Sequence, residues 1–543
     1  MTRYTSIRAG LTAILILSAA ACTNDENPST ETPPPDSSSP PPSSTPEPSP
    51  PPVPTPTPVP LPRPAGCGIP YDGPEPVVVS QGRLQIVEAF PSSYLDQRRN
   101  IRIYLPAGYG SDPALVYPVL YMHDGQNLFD ASTAAFGVEW EIDEHVDTLV
   151  EQGRLNEIIV VGIDNTSNRT AEYTPTTDPV YGGGDGDLYA RFIIDELKPY
   201  VDTHYLTACD PTQTAVMGSS LGGLISCYIG WTYPDVFGLA GCVSPSFWWD
   251  DQSFLETIST PEATPPPAAF WIDIGTGEGE DSDGDGLADP VQQARRVRDQ
   301  FITLGLPFAS SVGYLEVQGA VHDEASWAAR VANPLLFFFG TDSEPALEGI
   351  GLALYGTEVG LSGTTSLHLQ VPAHHANTLE MSVPNQLADL QVSDTQVADV
   401  TPEGVVTGVS VGTTTLTASY QGFSAEAPFS VVESLSETVQ ITFRVTVPEE
   451  TPEDDIVYVA GDLEDAFGGY WNPAGRALER LDTNRWTTTF EAPRGVTFSF
   501  KFTRGSWATV EKDAQGGEIA NRVADADANQ TLEFTVARWA DIP

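Results

Sequence analysis

Between residues 65 and 343 the chain alternates continuous apolar runs with amphipathic helical stretches, and this alternation limits the fold more than any other feature. "PVLYMHDG" precedes helical "VEWEIDEHVDTLVEQG", "EIIVVGID" precedes helical "DLYARFIIDELKPYVDTHY", and "TAVMG" precedes helical "LGGLISCYIGWTY". The apolar strands "FGLAGCVS" and "AFWIDIG", helical "PVQQARRVRDQFITLG", strand "SVGYLEV" and helical "EASWAARVANPLLFFF" complete the series. Strands that are apolar on both faces and separated by helices require a mostly parallel sheet covered on both sides. The expectation for 65–343 is therefore an α/β domain, with "LQIVEAF" and "NIRIYLP" as an antiparallel start.

Outside that segment the pattern changes. Residues 344–434, with "VADVTPEGVVTGVSVGTTTLTASYQG", show short β-branched runs between glycine turns, as a β-sandwich does. Residues 435–543 are again β-rich, but aromatic, and predict a second all-β sandwich. Several domains suit a chain of 543 residues, longer than one core fills. At the other end, Arg3 and Arg8 precede the apolar run Leu11–Leu17 and the small residues Ala19, Ala20 and Ala21. Residues 1–22 thus predict a secretory signal, too short to span a membrane. Residues 23–64 are Pro/Ser/Thr-rich ("PSPPPVPTPTPVP") and predict an extended polyproline spacer.

Charge excludes one class of partner. With 25 Lys+Arg against 74 Asp+Glu, the net charge of -49 repels phosphate backbones and anionic headgroups, so nucleic acid is not expected. Only 18% of residues are charged, which is the composition of a folded protein with an acidic surface. In an exported chain Cys67, Cys209, Cys227 and Cys242 allow three disulfide connectivities, and none has the close spacing of a zinc site. Cys227 and Cys242, each in an apolar run, also fit buried free thiols.

The chemistry centres on Gly218-Ser219-Ser220-Leu221-Gly222, which lies between an expected strand and an expected helix. A serine hydroxyl needs a base to take its proton, and at such a strand-to-helix elbow the helix N-terminus favours developing negative charge. Ser220 is the candidate nucleophile; the competing reading is a turn in which Ser219 caps the helix. Chain order in this architecture is serine, acid, histidine, and His322 is the α/β-domain histidine that follows Ser220. The acid is expected after "FWIDIGTG", where Glu278 is preferred while Glu280 and Asp281 stay open. Backbone N–H groups of Leu221 and of Gln126, in "MHDGQNLFD", would form the oxyanion hole. "DSDGDGLADP" spaces Asp281, Asp283, Asp285 and Asp289 like the ligands of a calcium loop, with Gln292 where the bidentate carboxylate usually stands. No cofactor is expected for catalysis, and calcium is expected as a structural ion.

Several stretches resemble known families. "VLYMHDGQNLFD", "NRTAEYTP", "GGGDGDLYARFIIDELKPYVDTHY", "MGSSLGG", "SPSFWW" and "VHDEASWAARV" together resemble the putative esterase family, whose relatives include feruloyl and enterochelin esterases, S-formylglutathione hydrolases and mycolyltransferases. The resemblance implies an α/β hydrolase with Ser220 as nucleophile, His322 as base and a carboxylate after "GTG" as acid. Trp248 and Trp249, taken to close the "SPSFWW" strand, would line the substrate cleft or sit in the core. Residues 352–433 resemble group 2 bacterial Ig-like domains. "VQITFRVTVPEETPEDDIVYVAGDLEDAFGGYWNP", "FSFKFTRGSWATVEK" and "EIANR" resemble starch-binding modules of carbohydrate-binding family 20. That resemblance implies glycan contacts at Trp471, Lys501, Trp507 and Asn521, with Trp486 in the core. Cys22 after the small residues resembles a bacterial lipobox, implying an exported lipoprotein at the outer membrane or cell surface, with secretion as the alternative.

The combined expectation is an exported serine carboxylesterase acting on an ester, preferably carbohydrate-linked, and tethered near starch-like glucan or another polysaccharide. A membrane is expected as partner only through the lipid anchor. A catalytically inactive carbohydrate-binding protein and an acyltransferase to a sugar acceptor are the alternatives.

Overall fold

The computed structural model describes residues 82–542 apart from 113, 280, 283–286, 357, 362–367, 435–437, 453–454 and 470. The signal segment, Cys22, the spacer, Cys67, Glu280, Asp283 and Asp285 lie outside the described residues.

Eight strands form the first sheet: β1 (Arg83–Phe90), β2 (Arg99–Leu105), β3 (Val119–His123), β4 (Ile159–Ile163), β5 (Thr214–Ser219), β6 (Leu239–Val243), β7 (Ala269–Gly275) and β8 (Val312–Val317). Their spatial order is β1-β2-β4-β3-β5-β6-β7-β8. The β1/β2 and β2/β4 pairs are antiparallel, and the rest are parallel. Every residue of β3, β4, β5 and β6 is buried, because helices cover both faces. Along β3, Val119 and Tyr121 enter one core, while Leu120 and Met122 enter the other. A Cys227–Cys242 disulfide ties the helix Leu221–Thr232 to β6, and Cys209 is also disulfide-bonded.

Proline and local hydrogen bonding account for the departures from the expected helices. "EASWAARVANPLLFFF" divides into Glu324–Arg330 and Ala332–Phe339, because Pro334 has no N–H for Arg330 O, and the Asn333 side chain bonds that oxygen instead (3.2 Å). "DLYARFIIDELKPYVDTHY" contains a π-helical turn, Ile193–Leu197, just before Pro199. "VEWEIDEHVDTLVEQG" becomes helical only at Ile142, since Trp140 N and Ile142 N are drawn to Asn127 O and Leu128 O. "SPSFWW" is not a strand: β6 stops at Val243, and Ser244 turns the chain at φ 39°.

Beyond the eight-stranded sheet come β9 (Leu347–Ile350), β10 (Ala353–Leu354), β11 (Glu358–Gly360), β12 (Leu369–His375) and β13 (Glu380–Val383). β12 pairs with β9, β10 and β13, and a second sheet joins β11 to Phe423–Val432, Gly412–Tyr420 and Asp389–Val392. In the last segment Thr438–Thr446 pairs with Arg485–Pro493 and Gln530–Thr535. Facing it, Thr497–Thr503 pairs with Tyr458–Gly461 and Arg522–Asp525. Phe443, Phe490, Phe498 and Phe500 fill the space between these sheets, and Trp486 is buried there, as its place in the pattern predicts.

Candidate active site

The end of β5 delivers Ser220 into a sharp turn with φ 61° and ψ -123°, a backbone state that only a tightly held non-glycine residue sustains. Glycine is required close by for space. A Cβ on Gly218 would lie 2.9 Å from His123 Cδ2, and one on Gly223 would lie 2.7 Å from Val243 O. On Gly222, the pentapeptide's last glycine, it would meet nothing closer than 3.4 Å. Ser220 N donates to Val243 O (3.0 Å), and Ser246 N donates to Ser220 O (3.0 Å), so the loop after β6 braces the elbow.

His322 lies between β8 and the helix Glu324–Arg330, whose N-terminus Asp323 caps by accepting from Ser326 N (2.8 Å). Its Nδ1 is 2.7 Å from Glu278 Oε2, and its ring meets Trp327 edge-on at 5.1 Å. A proton held on Nδ1 by the carboxylate leaves Nε2 as an acceptor, the form a general base needs. Glu278 is 2% exposed, and its Oε1 accepts from Ser244 Oγ (2.6 Å), Gly275 N (2.8 Å) and Arg330 Nη2 (3.3 Å). Burial alone would raise its pKa, but the hydrogen bond and charge from His322, with Arg330 and Ser244, hold it below the ordinary carboxylate value. Ser244 also accepts from Trp327 Nε1 (2.9 Å) and Arg330 Nη2 (2.5 Å), while Arg330 Nε bonds Asp273 (2.8 Å). Glu278, the preferred of the carboxylates left open by the sequence, meets the imidazole, and Glu280 lies outside the described residues.

Ser220 Oγ is 3.3 Å from Ser246 Oγ, and no hydrogen bond joins Ser220 to His322 among the described residues. Catalytic hydrogen bonds of free enzymes are often long and tighten with substrate.

Leu221 opens its helix and Gln126 sits in the 3-10 turn Gly125–Asn127; N–H groups at such starts have no internal acceptor. The Gln126 loop is firmly held. Asp124, at φ 56°, takes two bonds from Arg169 (2.8 and 2.9 Å) and one from Asn165 Nδ2 (2.6 Å). Burial would raise the Asp124 carboxyl, yet Arg169 and Asn165 hold it below its ordinary value. His123 beneath is buried, and burial lowers its pKa to about 3, so it is neutral and structural, bonded through Nδ1 to Tyr189 OH (2.9 Å). Asp124, Arg169, Ser244, Ser246 and Arg330 have no assigned role from sequence reasoning, although all lie in the quoted motifs.

The tryptophans separate. Trp249 is 2% exposed, with Nε1 on Thr176 O (3.0 Å), and belongs to the core; only Trp248, 39% exposed and edge-on to Tyr181 (5.7 Å), faces solvent. Near the aspartate loop, Asp289 begins the helix Asp289–Thr303 and accepts from Ser282 N (3.1 Å). Asp281 is described, Asp283 and Asp285 are not, and among the described residues no three His, Cys, Asp or Glu side chains group around a metal-sized space. In the last segment, Trp471 and Trp507 lie 6.2 Å apart at 41°, with Trp507 43% exposed. Lys501 Nζ donates to Ile519 O, two residues before the exposed Asn521.

Residues 92–338 match the model of the esterase family, described as "Putative esterase", and this stretch has the esterase-type α/β-hydrolase fold. An uncharacterized protein of Bacillus subtilis (strain 168), YbbA, is 27% identical over 249 residues, 45% of this chain and 93% of YbbA. An amylopullulanase of Thermoanaerobacter thermohydrosulfuricus is 38% identical over 109 residues, 19% of this chain and 7% of that enzyme. An endo-1,4-beta-xylanase/feruloyl esterase of Xylanibacter ruminicola is 27% identical over 212 residues, 38% of this chain and 26% of that enzyme. The chain thus spans nearly all of YbbA but a minor part of the two named enzymes.

Proposed function

We propose that this protein is a serine carboxylesterase with a glycan-binding C-terminal domain. The observation that carries the reading is the 2.7 Å Glu278–His322 hydrogen bond beside a serine held at a strained strand-to-helix turn. His322 Nε2 takes the Ser220 proton as Oγ attacks the ester carbonyl carbon. The N–H groups of Leu221 and Gln126 hold the oxyanion, and Glu278 stabilises the imidazolium. Collapse of the tetrahedral intermediate breaks the bond to the alcohol, which leaves with the His322 proton, and water then cleaves the acyl-enzyme by the same route in reverse. Trp248 forms a wall of the cleft.

The substrate is a carbohydrate-linked ester. This is supported by the match to a named feruloyl esterase and by the match to an amylopullulanase. Trp471 and Trp507 offer flat faces to sugar C–H surfaces, and Lys501 and Asn521 supply polar contacts. The chain is exported and anchored by lipid on Cys22, with residues 23–64 as spacer, and Asp281, Asp283, Asp285 and Asp289 take a structural calcium. Stopped-flow release of nitrophenol from nitrophenyl acetate, butyrate and ferulate tests the chemistry: a burst equal to enzyme concentration is expected, and its absence with every ester counts against the reading. Retention on immobilised starch is expected to be lost in Trp507→Ala with hydrolysis unchanged; unaltered retention would remove this site from the proposal.

A further inference from the structure

The second domain completes the hydrolase core. β13 and the residue before it contribute Met381 and Leu379 to the apolar cluster that holds Trp271, Leu335, Leu336 and Phe339. The junction also covers β8, the edge of the eight-stranded sheet, where unpaired backbone groups would otherwise face solvent. Glu316 N donates to Ser382 Oγ (2.9 Å), and Gln370 Nε2 donates to Glu316 O (2.7 Å). The Glu316 carboxylate is gripped by Arg295 (2.7 and 2.8 Å), Tyr314 OH (2.6 Å) and Tyr355 OH (2.8 Å).

One strand of this contact leads to the candidate active site. Glu380 N donates to Asn333 Oδ1 (2.9 Å), and Asn333 Nδ2 donates to Arg330 O (3.2 Å), the oxygen that Pro334 cannot serve. The Arg330 side chain then reaches Asp273, Ser244 and Glu278. We propose that Asn333 is a positioning residue for the acid: through it, strand β13 of the second domain fixes Arg330, and so the Glu278–His322 pair. The inference rests on reading Ser220, His322 and Glu278 as the triad. On this view residues 344–434 are part of the catalytic unit and not only a spacer before the glycan-binding domain.

Asn333 borders an open pocket of about 440 Å³ lined by Leu315, Val317, Gln318, Ser326, Arg330 and Glu380, so a shortened side chain leaves its former partners beside space that solvent reaches. In the full-length protein, Asn333→Ala is expected to lower kcat about five- to tenfold with KM within about twofold, the scale of one lost positioning hydrogen bond. Placed on Glu278→Gln, the same change is expected to have no further effect; a multiplicative effect, or an unchanged kcat in the single variant, would overturn the proposal. Ser382→Ala, elsewhere in the junction, is expected to lower Tm but not kcat, and an equal kcat loss there would also overturn it. A readout without turnover separates this inference from the esterase reading: the downfield Nδ1 proton resonance, identified by its loss in His322→Asn, should be sharp in the wild type and broadened in Asn333→Ala. Broadening in a protein that cleaves no ester would sink the esterase reading alone, and an unchanged resonance would sink the positioning role.

Discussion

On the acid side of the candidate site, Glu278 is 2% exposed and bound by His322 and by Ser244, Gly275 and Arg330, the last three fixed by strand ends or a helix. On the nucleophile side, the His322 side chain is 43% exposed, and the Ser220 hydroxyl shares a 3.3 Å hydrogen bond with another hydroxyl, that of Ser246. The difference follows from what each group must do. A carboxylate that keeps its charge under burial needs several donors already in place, whereas a hydroxyl that must change partners needs one weak contact and room. The backbone shows the inverse arrangement: the strain at φ 61° falls on Ser220, where the chain is held and the side chain is left free.

The contrast predicts unequal losses. Ser220→Ala removes the covalent step and is expected to reduce kcat about 10⁴-fold or more, while Glu278→Gln keeps the scaffold and costs about 10²- to 10⁴-fold, since it disturbs the tautomer and the imidazolium only. Steady-state hydrolysis of a nitrophenyl ester measures both. Equal losses would mean that the acid side is as indispensable as the nucleophile, and a loss below tenfold in either variant would break the proposed triad.

Acid stability sharpens the same contrast. The Glu278 pKa lies below its ordinary value of 4.5, so its interactions stabilise the fold above that pH and are lost as pH falls through the depressed value. Glu316, taken down to about 2 by Arg295 despite its burial, adds to the same acid limb. Wild-type Tm is expected to fall progressively below about pH 4.5, and Glu278→Gln to fall less steeply over that interval. Parallel curves from pH 5 to pH 2 in differential scanning calorimetry would show that the acid side contributes no charge-dependent stability.

How much of this was legible in the sequence depends on the range over which each feature is determined. Ser220 and His322 follow from local order, a strand, a glycine turn and a helix, then a histidine after the last strand. The parallel sheet follows from apolar runs that need no partner to be recognised. Glu278 could be narrowed only to a short stretch, because what marks it out is its bonds to Ser244 and Arg330, residues 86 apart in the chain. The same range hides the Asp124–Arg169 pair and the role of Ser246. Trp248 and Trp249 are indistinguishable by composition. The turn at Gly183, whose absent side chain leaves room for Trp249 Cζ2, buries one and leaves the other exposed.

The smallest effect should come from Ser246. In the proposed triad its hydroxyl competes with His322 for Ser220 Oγ, and a hydrogen bond between neutral hydroxyls at 3.3 Å is worth at most about 1 kcal/mol, or roughly a fivefold change in the population of the reactive rotamer. Ser246→Ala removes the competitor while leaving the backbone bond from Ser246 N to Ser220 O intact, so kcat is expected to rise about two- to threefold with KM unchanged. Pre-steady-state acylation rates measure this directly. A fall in acylation rate would instead make Ser246 a required partner of the nucleophile and place it on the fixed side of the site beside Glu278.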